Sequence, residues 1–156
     1  MSTHTPQTFP ISIPFAHHLG LQFLGCTDDT AEVGVWLQPP HLNGWDVAHG
    51  GLLMTMLDIS MALAARSGHM EGPGVVTIEM KTSFMRPAEG QLRARAKVLQ
   101  RTVTMAFCEA NIVNEQGDMC AHATGTFKFL RALPVDGRRA NPLQRATPEP
   151  GAGATP

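Results

Sequence analysis

The chain has 156 residues with 12 Lys+Arg against 13 Asp+Glu, a formal net charge of −1. That length suits one domain, and the balance leaves no cationic excess for a nucleic-acid backbone. Hydrophobic residues make up 43%, enough apolar surface for a sizeable core and too much for wholesale disorder.

The first ten residues read as a polar leader, with no basic segment running into an apolar one, so no secretory signal is expected. The compact unit is expected between Ile11 and Arg131. Two strands come first. The second is marked by Ala31, Val33, Val35 and Leu37 alternating with Glu32, Gly34, Trp36 and Gln38, a period of two. Pro39-Pro40 stops it, and a loop from His41 to Ala48 follows.

A helix is predicted over His49–Arg66, ended by Ser67-Gly68 and Gly72-Pro73-Gly74. It is apolar nearly all round, which predicts burial on every side beneath a wrapping sheet. Its apolar stretch, Gly50–Ala65, is broken by Asp58 and too short to span a bilayer. Four strand runs come next: Val75–Arg86, Gln91–Leu99, Val103–Val113 and Met119–Phe129, with Asn114–Asp118 as a hairpin turn. Short turns predict antiparallel neighbours. One helix on one antiparallel sheet is an α+β architecture. The remainder, 132–156, reads as a Pro/Gly/Ala-rich tail without a core of its own: Leu133–Pro156 holds five prolines and three glycines.

Cys26, Cys108 and Cys120 lie far apart with no Cys-x-x-Cys pair. A disulfide framework is not expected, and a reduced, cytoplasmic setting is. His4, His17 and His18 have no acid at ligand spacing, so no metal site is expected. Charged residues are only 16%, consistent with surface hidden in an oligomer.

Two features point to chemistry. Asp58 is the one acid in an apolar helix, and a carboxylate withdrawn from water takes a raised pKa. Such groups gather at active sites. His49-Gly50-Gly51 opens the helix, where the first N–H groups lack intrahelical acceptors and the dipole is positive. That end suits an anion or a polarised carbonyl oxygen. Nine residues separate His49 from Asp58, about two and a half turns and roughly 13 Å. The two therefore face opposite ways. Either they are unrelated, or two chains meet so that the helix start of one faces the Asp of the other, in a two-fold dimer with two equivalent sites.

Asn43-Gly44-Trp45-Asp46-Val47-Ala48-His49-Gly50-Gly51, then Asp58, Val76–Met80 and Phe84-Met85-Arg86-Pro87-Ala88, resemble the hotdog-fold acyl-CoA thioesterases. Within the 4-hydroxybenzoyl-CoA thioesterase superfamily the similarity is to the phenylacetate-pathway branch, from about Pro14 to Phe129. The resemblance implies a sheet wrapped round one buried helix, homodimers that pair into homotetramers, an acyl-CoA substrate and no cofactor, nucleic acid or membrane. It implies Asp58 as base or nucleophile and the Gly50 N–H as donor to the thioester carbonyl. Asn43 would hold water or thioester, and His49 would order the loop. Thr77 would position water. Gly51, Leu57 and Met61 are candidate substrate contacts. Asn43, His49 and Gly50 would come from one chain, Asp58 and Thr77 from the other. By alternation Thr77 lies opposite Val76, Ile78 and Met80, so it reaches such a site only through a twist or bulge. Arg86, Arg93, Arg95, Arg101, Lys128 and Arg131 are candidates for coenzyme A phosphates. The alternatives are a hotdog hydratase or dehydratase, and a non-catalytic acyl-CoA-binding module.

Overall fold

The computed structural model describes residues 5–135 and 139–146. A short helix α1 (Pro14–His18) leads into β1 (Gln22–Thr27) and β2 (Thr30–Trp36), which are joined through Asp28 and Asp29. Both aspartates have positive φ, the backbone that a tight hairpin requires and that Asp tolerates. The long helix α2 (Gly50–Arg66) has His49 as N-cap. Then come β3 (Gly74–Phe84), β4 (Gln91–Arg101), β5 (Met105–Val113) and β6 (Met119–Leu130). In the β5–β6 turn, Asn114 Oδ1 accepts from the N–H of Gln116 and of Asp118.

Six strands form one antiparallel sheet in the order β1-β2-β4-β5-β6-β3. One expectation needs correcting. β3 and β4 are joined by a short connection, yet they are not neighbours; β3 pairs with β6 and β4 with β2 and β5. The connection instead crosses the start of α2, where the Ala48 N–H donates to Ala88 O. Its proline, Pro87, has no N–H to offer a ladder.

α2 contacts all six strands. Met56, Leu57, Met61 and Leu63 are fully buried against Val33, Val35, Leu92, Ile112 and Phe127. Each such side chain contributes about 1.5–3 kcal/mol by leaving water. At Gly125 helix and sheet pack tightly: a Cβ there would come within 3.1 Å of both Met61 Cε and the Phe127 ring.

The helix is not buried on every side. Gly51 and Met54 are exposed, and Thr55, Asp58 and Ala62 only half-buried. These fall at helical spacing on one face. The sheet covers the rest and stops at β3, which pairs on one side only among the described residues.

β3 carries a second correction. Val76, Ile78 and Met80 do not share the core face, since Ile78 is 54% exposed. The pairing of β3 with β6 shifts register between Thr77 and Glu79. A bulge of this kind makes the side chains on either side change parity. Val75 packs on the core before it and Met80 after it.

The segment after Arg131 forms a small hairpin, β7 (Ala132–Val135) with β8 (Arg139–Pro142). Arg145 beyond it pairs with Ile11 and donates to Met70 O and Glu71 O. Residues 136–138 and 147–156 of the expected tail lie outside the described residues. Among the described residues no helix is long and apolar enough to cross a membrane.

Candidate functional site

Asp58 sits midway along the open face of α2, and the bulge brings Thr77 to it. The Thr77 hydroxyl donates to Asp58 Oδ1 at 2.6 Å. Burial pushes the Asp58 carboxyl up from its ordinary value, and the Thr77 hydroxyl pulls it partly back. A hydrogen bond to an ionised carboxylate favours the charged form, whereas desolvation favours the neutral one. Burial is the larger effect, so this carboxylate is more basic than a surface aspartate.

The second group gathers at the start of α2. His49 is extended, with φ −62° and ψ 136°, and its Nδ1 accepts from the Gly51 N–H at 2.9 Å. The histidine is thus the helix N-cap, a place usually taken by a shorter polar side chain. It occupies one of the two glycine donors. The Gly50 N–H has no hydrogen-bond partner among the described residues, and the helix dipole supports any acceptor placed there. Gly51, a candidate substrate contact, therefore has its donor already engaged.

Gly50 itself has little room for a side chain. An added Cβ would meet the Phe84 ring at 3.3 Å. Phe84 is 53% exposed, so its ring is a wall of the surface beside the Gly50 N–H. Nothing in the sequence marks this contact, because Phe84 lies a whole strand away from Gly50.

Asn43 is held by its own loop. Its Oδ1 accepts from the Trp45 N–H at 2.8 Å, and its backbone N–H donates to Val47 O at 2.9 Å. This turn orients the side chain and leaves the amide NH₂ as its donor end. Asn43, Gly50, Leu53, Phe84, Met85 and Arg86 line a common open cleft of about 420 Å³.

The structure therefore makes two groups within one chain: Asp58 with Thr77, and Asn43 with Gly50, His49 capping the latter. No hydrogen bond or shared cleft joins the two groups among the described residues. Leu57 and Met61 have no accessible surface. They hold the helix to the sheet rather than facing a cavity, which corrects their reading as substrate contacts. Cysteine chemistry is also disfavoured. Cys108 is buried, with its thiol pushed up to about 12 by desolvation, and burial raises Cys120 as well. Of the cations proposed for phosphates, Arg95 pairs with Glu32 and Arg101 with Asp29, and Arg86 donates to Met119 O.

An antiparallel sheet curled round one central helix, with an acid on its open face and a free N–H at its start, is the hotdog architecture. Known proteins agree. The model of the thioesterase superfamily matches residues 46–121, from the loop before α2 into β6. A Halobacterium salinarum protein provisionally named an esterase is 30% identical over 127 residues, covering 71% of this chain and 84% of its own. A mutant of the phenylacetic acid degradation protein PaaI from Thermus thermophilus has a solved structure that is 30% identical, with a TM-score of 0.68. It covers 76% of this chain and 100% of its own. A conserved protein of Pseudomonas aeruginosa gives a TM-score of 0.73 at 28% identity, over 78% of this chain and 97% of that one. The chain belongs to the thioesterase superfamily.

Proposed function

We propose that the protein hydrolyses an acyl-CoA thioester to a free acid and coenzyme A, at a site shared by two copies of the chain. The observation that carries this reading is the Asp58–Thr77 pair, with Asp58 the one charged residue on the uncovered helix face. A desolvated carboxylate held by one hydroxyl is a poised base. The free Gly50 N–H supplies the complementary donor for the developing oxyanion. Family membership and the provisional esterase name of the Halobacterium relative support a hydrolase acting on thioesters.

Gly50 and Asp58 lie eight residues apart on α2, about 12 Å along its axis, too far for one thioester carbonyl to meet both, so a second copy is needed to join the two groups. The uncovered face and the single-sided edge of β3 offer the surface for it, with Ile78, Phe84 and Met85 each more than half exposed. Unpaired edge strands are natural sites of strand addition. In the proposed dimer, Gly50 and Asn43 of one copy face Asp58 and Thr77 of the other.

In the reaction, Asp58 takes a proton from water, and the hydroxide attacks the thioester carbonyl carbon. Alternatively, the carboxylate attacks that carbon itself and water cleaves the resulting anhydride. Either route needs Asp58 ionised. The carbonyl oxygen gains charge against the Gly50 N–H, the C–S bond breaks, and the sulfur leaves as thiolate, which takes a proton from the protonated Asp58 in the first route and from the water that cleaves the anhydride in the second. Asn43 offers its amide donor to the thioester or the water. His49 acts at one remove, by fixing the glycines.

A panel of aryl, short-chain and medium-chain acyl-CoAs, read by release of free thiol, tests the reading. Thiol release that is lost in Asp58→Asn supports it. Hydration of an enoyl-CoA without thiol release, or tight binding of acyl-CoA without turnover, would replace it with one of the two alternatives.

A further inference from the structure

The far end of α2 holds a feature that hydrolysis does not use. A cavity of about 640 Å³ opens there, lined by Arg66, Met70, Arg101, Val103 and Phe129, with the exposed Glu71 at its rim. Arg66 is only 2% exposed, the largest fully buried side chain in the core. Its Nε donates to Pro73 O and its Nη2 to Met70 O. Its Nη1 is buried with no hydrogen-bond partner among the described residues, and so is Nε of Arg101.

Charge makes the position more unusual. Arg101 is paired with Asp29 at 2.6 Å, and the nearby Arg145 with Glu71 at 3.0 Å. Arg66 makes no ion pair among the described residues; its hydrogen bonds go to neutral carbonyls, and the Glu71 carboxylate attracts it without pairing with it. A buried guanidinium without a counter-ion is unfavourable; here desolvation draws its pKa down. Capping the loop after α2 needs the two carbonyl contacts but not a third, unanswered N–H pair.

We propose that this cavity binds an amphipathic oxyanion, its carboxylate or phosphate group drawn to the guanidinium groups of Arg66 and Arg101 and its apolar body lying against Met70, Val103 and Phe129. Guanidinium groups suit both oxyanions because their N–H donors match the acceptor geometry. The cavity volume exceeds what an inorganic ion needs, and the apolar walls suit a carbon skeleton. This inference goes beyond the proposed hydrolysis and does not depend on it.

Isothermal titration of the full chain with octanoate, and separately with 3′,5′-adenosine bisphosphate, tests it and distinguishes the two sources of the oxyanion. Wild type is expected to bind one of them saturably. Arg66→Gln removes the charge, and binding should weaken by tenfold or more, about 1.4 kcal/mol. Arg66 is a core residue, so Val103→Glu is the second variant. Val103 is 96% exposed at the cavity, and a carboxylate there repels the anion without touching the core. Val103 lines this cavity and not the Asn43–Gly50 cleft, so weaker binding in Val103→Glu separates the cavity from the hydrolytic site. Absence of binding of both probes to wild type, or unchanged affinity in Val103→Glu, would overturn the proposal and leave the hydrolytic reading standing.

Discussion

Thr77→Val tests the Asp58–Thr77 pair with little disturbance elsewhere. Valine keeps the β-branched shape that β3 accommodates and deletes only the hydroxyl that donates to Asp58 Oδ1 at 2.6 Å. Hydrogen bonds to charged groups contribute about 1.5–3 kcal/mol. Thr77 is exposed on its other side, so water replaces part of that contribution and the lower end applies. The loss falls on the ionised form of Asp58 and leaves the protonated form almost unchanged. The Asp58 pKa, already raised by burial, therefore rises further. On the acid side of the pH profile, kcat/KM is expected to fall by about tenfold, the equivalent of 1.4 kcal/mol. Well above that limb the loss from ionisation disappears. The assay is kcat/KM for one acyl-CoA across pH 4–9 in wild type and Thr77→Val. An acid limb that stays in place while the whole curve drops would refute the reasoning. It would mean that Thr77 positions a group other than the titrating base.

Asp58→Asn should lower kcat by 10²-fold or more while raising the melting temperature at neutral pH. Because the folded pKa is raised, the native chain holds a proton that the unfolded chain has lost between the two pKa values. Stability from this group therefore falls as pH rises through that window. The variant's thermal advantage should vanish below the ordinary carboxylate range, and melts across pH will check it. Gly50→Pro deletes the free N–H at a position where a helix tolerates proline, and kcat should fall about 10²–10³-fold. Gly50→Ala keeps the N–H but pushes on the Phe84 ring at 3.3 Å, so a smaller loss is expected in the same kinetic assay. Light scattering should show at least a dimer for wild type. Ile78→Lys, on the exposed edge of β3, should shift it toward monomer, because lysine on an edge strand opposes pairing.

The elements whose patterns are local were legible in the residues. The apolar run of α2 and the alternation of β2 and β4 depend only on near neighbours, and their observed spans differ from expectation by a residue or two. Asp58 stood out for the same reason, as one acid in an apolar run. What was not legible depends on partners distant in sequence. Nothing in Met85–Gly90 tells that this connection passes over the helix start and puts β3 at the far edge. The Val76, Ile78 and Met80 alternation put Met80 on the core face correctly and Ile78 wrongly, because one bulged residue changes the parity between them. The need for a bulge to bring Thr77 inward could be stated from parity, and its location could not. Phe84 against Gly50 follows from that same placement of β3, whereas the His49 cap is a local contact with Gly51.

The claim that Asp58 and Gly50 act on one substrate from different copies is tested most directly by mixing two inactive variants. Asp58→Asn and Gly50→Pro are purified, mixed, dissociated and reassociated, and heterodimers are confirmed by mass. Each heterodimer then holds one site with both native groups and one with neither. With random pairing, about half the dimers are mixed and half of their sites are intact, so roughly a quarter of wild-type thiol release should return. Confirmed heterodimers that stay as inactive as their parents would contradict the shared site.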